Sequence, residues 1–169
     1  MRPAPSPPAS LDALSARLLA ARSATRTLEA WCAEHRIGDG AVRARVAKME
    51  TPLPPDAETL ALLRPEPGEA LHHRRVVLAR GAVALTEAEN WYLPQRLTPA
   101  MRHALATTEI PFGVAVEALH PMRRTVHVAR EAGGLLHRAL VLTGNGRPIA
   151  VVHERYLPAL LPGIASPAR

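Results

Sequence analysis

Two charged residues in apolar company mark where this chain could do chemistry. In the stretch Gly146-Arg147-Pro148-Ile149-Ala150-Val151-Val152-His153-Glu154-Arg155-Tyr156-Leu157-Pro158, strand periodicity puts Ala150, Val152, Glu154 and Tyr156 on one face. A carboxylate on such a face needs a cation, a hydrogen-bond donor or a raised pKa, and each of these is also what an active site uses. Far upstream, Leu71, His73, Arg75, Val77 and Ala79 share a strand face, so Arg75 points where Val77 points, and a guanidinium there calls for a carboxylate fork. Arg75 and Glu154 therefore allow two readings. They form a structural salt bridge, or both face a cavity and grip opposite ends of a small molecule.

Other chemistries find little support in the residues. Neither a Gly-x-Gly-x-x-Gly run nor a Walker pattern is present, and Gly133-Gly134 falls between strands rather than ahead of a helix. The histidines lack His-x-x-x-His or His-Glu-x-x-His spacing, and His72-His73 sends its rings to opposite strand faces, so no metal is expected. There is no Gly-x-Ser-x-Gly elbow. The single cysteine, Cys32, lies in the helical pattern Leu28, Trp31, Cys32 and reads as a packed thiol in a reducing compartment.

Composition narrows the partners. The net charge is +6, with basic residues scattered along the chain and only Lys48 a lysine; this admits nucleic acid, a membrane surface or a small anion. Aromatic residues make up 3%, too few for a base-stacking platform, so nucleic acid is discounted. No apolar run approaches membrane-spanning length, and Met1-Arg2-Pro3-Ala4-Pro5-Ser6-Pro7-Pro8 lacks the apolar core of a signal peptide, which points to the cytoplasm.

The elements that must position these residues follow from pattern and punctuation. The 169 residues suit one domain, with a Pro-rich tail over 1–9, a folded part over 10–160 and a loose end over 161–169. Ser10 caps a helix carrying Leu11, Leu14, Leu18 and Leu19, and Ser23 or Thr25 caps a second, making a helical hairpin. Alternation at Val42, Ala44 and Val46 reads as a strand, and Asp56 to Leu63 as a short helix. Strands over 70–79 and 82–93 form a hairpin, and Thr98-Pro99 opens another helix. Ile110-Pro111-Phe112-Gly113 is a tight turn leading into a segment that periodicity leaves as helix or strand. Three more strands follow, the last two joined by Gly144-Asn145-Gly146. About six strands without a βαβ rhythm give an α+β class, an antiparallel sheet with helices on one face.

A set of motifs in register carries a family resemblance over about Leu11 to Leu160. These are Leu18-Leu19 with Ser23-Ala24-Thr25-Arg26-Thr27-Leu28-Glu29, the Arg75-Val76-Val77-Leu78 strand and its partner ending at Pro94, Ile110-Pro111-Phe112-Gly113, and His153-Glu154-Arg155-Tyr156-Leu157-Pro158. The chain resembles the chorismate lyases, which turn chorismate into 4-hydroxybenzoate and pyruvate ahead of ubiquinone. The resemblance implies a six-stranded antiparallel sheet with helices on one side and an enclosed ligand cavity under helical flaps, acting without a cofactor. It places the carboxylate clamp on Arg75, the partner of the ring hydroxyl on Glu154, and backbone contacts at Phe112 and Gly113. A flap methionine of the family is Ala24 here, and its leucine is Phe112, so the cavity's volume is kept only if the two changes compensate. Arg123 or Arg124 would take the second carboxylate, and the N-terminal hairpin would gate release. Expected with this reading are a monomer, a small anionic precursor of an aromatic acid as substrate, and a cytoplasmic lyase. The alternatives are an effector-sensing domain of the same fold, found in bacterial transcription regulators, or a lyase for a related shikimate-derived acid.

Overall fold

The computed structural model describes residues 10–131 and 134–161; the expected tail over 1–9 and the end over 162–169 lie outside them. Helices α1 (Leu11–Ala20) and α2 (Ala24–His35) form the hairpin, followed by β1 (Val42–Val46) and α3 (Ala57–Leu63). The long hairpin β2 (His72–Arg80) and β3 (Val83–Tyr92) leads to α4 (Pro99–Thr107) and the single turn α5 (Phe112–Ala115). Strands β4 (Met122–Glu131), β5 (Gly134–Leu142) and β6 (Pro148–Tyr156) complete the chain. The undecided segment after Pro111 is thus helical. Helix starts follow the sequence signals: Ser10, Ser23, Asp56 and Thr98 each accept a backbone N–H from three residues on.

All six strands form one antiparallel sheet in the order β1-β2-β3-β6-β5-β4, which puts the Glu154 strand in the middle. Its inner face carries Val76, Leu78, Ala88, Tyr92, Ala139, Val141, Val152 and Tyr156, packed against α1, α2, α4 and α5 through Leu14, Leu18, Leu28, Trp31, Met101, Leu105 and Phe112. The seven-residue α3 is the exception to helices on one face. Leu63 packs on Trp91, Leu140 and Val151 of the outer face, and Arg138 reaches Asp56 and Glu58 at its start. Gly134 is required where it stands: its φ is +142°, and a Cβ would lie 1.9 Å from the Tyr156 carbonyl oxygen.

An ion pair closes the end of the sheet. Arg96, 3% exposed in its side chain, donates to Glu69 and to the carbonyls of Leu63, Arg64 and Pro148. Hydrogen bonds from Arg96 hold the Glu69 carboxyl down at about 2, against an ordinary 4.5. A depressed folded-state pKa contributes stability above the unfolded value and loses it as pH falls toward the folded one. The melting temperature should therefore drop between about pH 5 and pH 2, and Glu69→Gln should flatten that slope in a pH series of melting curves.

Candidate functional site

Strand β6 brings Glu154 to the inner face between Ala88 of β3 and His137 of β5, its cross-strand neighbours. Glu154 is 7% exposed. Its Oε2 accepts from Arg123 Nη2 at 2.5 Å and from the Tyr156 hydroxyl at 2.6 Å. The carboxylate's cation is therefore Arg123, which reaches across from edge strand β4. Burial works against the Arg123 charge, but Glu154 and Tyr156 outweigh it and hold the guanidinium above its ordinary value. Burial and then the Glu154 charge push the Tyr156 phenol well above its usual range, so it stays a donor. Burial and then the Arg123 charge pull His137 down to about 4, leaving a neutral ring behind the pair.

This cluster forms part of the wall of an inner cavity of about 60 Å³. The sheet contributes Val76, Asn90, Arg123 and Glu154 to the lining, the helices contribute Ala24, Phe112 and others, and the turn between α1 and α2 contributes Arg22. Ser23, Ala24 and Thr25 bring the first turn of α2, its electropositive end, to the same wall. Gly113 faces Ser23 across the mouth, where a Cβ would sit 3.9 Å from the serine oxygen. Arg26 and Glu117 form an exposed ion pair joining α2 to the turn after α5.

Arg75 lies elsewhere. It sits on the outer face, with a side chain 48% exposed, and donates to Glu89, which also takes His73. Arg75 and Glu154 are neither a salt bridge nor two ends of one clamp, because the sheet separates them. The Arg75 position lines an open outer groove of about 520 Å³ with Glu87, Glu89, His153 and Arg155. That groove is larger than the inner cavity, but its arginines already pair with Glu89, Glu87 and Glu131. Arg75→Ala should change stability by no more than about 1 kcal/mol, as for an exposed ion pair, in a denaturant titration.

The arginine that faces inward is Arg74. It is 6% exposed, opposite the cavity residue Asn90 and two residues before the cavity residue Val76. Its Nη2 donates to the Ile110 carbonyl at 3.0 Å, while Nε and Nη1 have no partner among the described residues. Burial lowers its pKa, and the neighbouring Tyr92 opposes this; no carboxylate contributes. Arg74 was missed in the sequence because both faces of Arg74-Arg75-Val76-Val77-Leu78-Ala79 are apolar, so alternation alone does not choose between them. Glu87 and Glu89 on the partner strand are the signal that does: antiparallel pairing sets Glu89 against Arg75 and Asn90 against Arg74. Of the second-carboxylate candidates, Arg123 faces the cavity and Arg124 is exposed.

Among the described residues no group of three or more His, Cys, Asp or Glu could hold a metal ion, and no helix is long and apolar enough to cross a membrane.

No family model matches the chain. It is 42% identical over 113 residues to the uncharacterized protein y4mC of Sinorhizobium fredii, a match covering 65% of this chain and 47% of that protein. The chain thus spans about half the length of this relative. Among solved structures it is similar to the effector domain of PhnF from Mycobacterium smegmatis, with a TM-score of 0.56 and 12% identity over 80% of this chain and 88% of that one. It is also similar to the possible transcriptional regulator YydK of Bacillus subtilis, with a TM-score of 0.50 and 16% identity over 75% of this chain and 62% of that one. These likenesses establish the six-stranded α+β fold. They also correct the expectation of an enzyme. The two structures named are an effector domain and a possible transcriptional regulator, and the Arg75 and Glu154 clamp that the resemblance implies is divided by the sheet.

Proposed function

We propose that this domain senses a small organic anion, binding it in the inner cavity without converting it. The observation that carries this reading is Arg74, a buried guanidinium with two donor nitrogens unpartnered among the described residues and no carboxylate beside it. Leaving such a charge bare costs several kcal/mol, which an anionic ligand would recover as binding energy. Arg22, Asn90 and the N-terminus of α2 line the cavity, with Asn90 the cross-strand partner of Arg74, which lies behind that wall, and they add to the attraction for negative charge. Glu154 contributes differently. Its Oε2 is held by Arg123 and Tyr156, so it serves as a fixed acceptor for a ligand hydroxyl, with the backbone at Phe112 and Gly113 alongside. The similarity in fold to the effector domain of PhnF supports a ligand-sensing role.

Binding would be read out through the mouth of the cavity, where α2 meets α5 and the Arg26–Glu117 pair ties α2 to the turn after α5. The test is calorimetric titration with pyruvate, succinate and inorganic phosphate. Saturable binding that Arg74→Leu removes and Arg75→Ala leaves intact is the expected result. Failure of every anion to bind, or equal binding by Arg74→Leu, would refute the reading.

A further inference from the structure

The inner cavity measures about 60 Å³, against about 150 Å³ for a cavity that takes benzene. The space therefore suits the body of a two- to four-carbon acid, and its walls show what limits it. Phe112 starts α5, is 7% exposed, lines the cavity and packs against Tyr92 with ring centroids 5.6 Å apart. Its backbone is fixed by the hydrogen bond from the Val116 N–H to the Phe112 carbonyl at 3.2 Å, so its ring has a braced base. Across the space stand Ala24, Val76, Ala88 and Val152, none of them large. The small Ala24 does not restore the space that Phe112 occupies.

We infer that Phe112 is the size filter of this site, admitting short aliphatic carboxylates and excluding aromatic ones. This rests on the anion-sensing reading and adds the class of ligand. A residue this large on the wall of so small a space sets specificity by occupying it, since a filled pocket rejects larger ligands through overlap that the packed core does not relieve.

The experiment compares pyruvate and benzoate by calorimetric titration on the wild-type chain, Phe112→Leu and Phe112→Ala, with melting curves to establish folding. Both acids carry one carboxylate and differ in the body behind it. The wild type should bind pyruvate saturably and benzoate at least about 10-fold more weakly, a 1.4 kcal/mol difference. Phe112→Leu should narrow that gap and Phe112→Ala should reverse it, and Phe112→Leu keeps the test decisive if the alanine variant does not fold. Benzoate binding as tightly as pyruvate to the wild type, or an unchanged preference in a folded variant, would overturn the filter alone. Binding of neither acid to any variant would overturn the filter together with the anion site beneath it.

Discussion

Arg74→Leu should sharply weaken anion binding while leaving the protein as stable as before or slightly more so. A buried guanidinium without a carboxylate carries a desolvation penalty, and removing it removes that cost. Against this stands the hydrogen bond to the Ile110 carbonyl, whose loss costs about 1 kcal/mol. The balance should raise stability by about 1 kcal/mol, or about 2–4 °C in melting temperature for a chain of this size. Binding should fall by about 100-fold, the loss of a charge-assisted hydrogen-bond pair. Stability bought at the cost of binding is the signature of a functional group held in an unfavourable place. A loss of several kcal/mol would instead make Arg74 a brace for the turn at Thr108 to Pro111.

The Arg123–Glu154 pair should behave in the opposite way. Both side chains are under a tenth exposed, so removing either partner strands the other charge away from water. Glu154→Ala and Arg123→Ala should each cost about 3–5 kcal/mol. Replacing the two together, as Arg123→Met with Glu154→Leu, should recover most of that loss, because an apolar pair of similar volume removes the penalty along with the attraction. A double-mutant cycle in urea reads the coupling directly. Independent, additive losses would contradict the pair as the unit that sets this part of the sheet.

Much of the architecture was legible because it rests on local rules. Ser10, Asp56 and Thr98-Pro99 announce helices through capping chemistry, and the Gly144-Asn145-Gly146 turn fixes a hairpin, so the strand count and class follow from residues in order. Glu154 was also legible, since Ala150, Val152 and Tyr156 define its face without ambiguity and the structure buries all four. What failed was a one-residue register. The run around Arg74 is apolar on both faces, so periodicity does not choose which of Arg74 and Arg75 faces inward, and a single step along a strand moves a side chain through the sheet. The partner of Glu154 was hidden for a different reason. Arg123 lies 31 residues away on an edge strand, and only the β4-β5-β6 pairing brings it over. The location of α3 on the outer face follows from Leu63 meeting Trp91, a contact between elements that no local pattern encodes.

The most direct test is a structure determined with pyruvate bound. The account predicts the carboxylate within about 3 Å of the nitrogens of Arg74 that are otherwise bare, with the ligand body between Phe112 and Val76 and its carbon skeleton unchanged. A carboxylate seated in the outer groove on Arg75 or Arg155, with Arg74 still unpartnered, would contradict it.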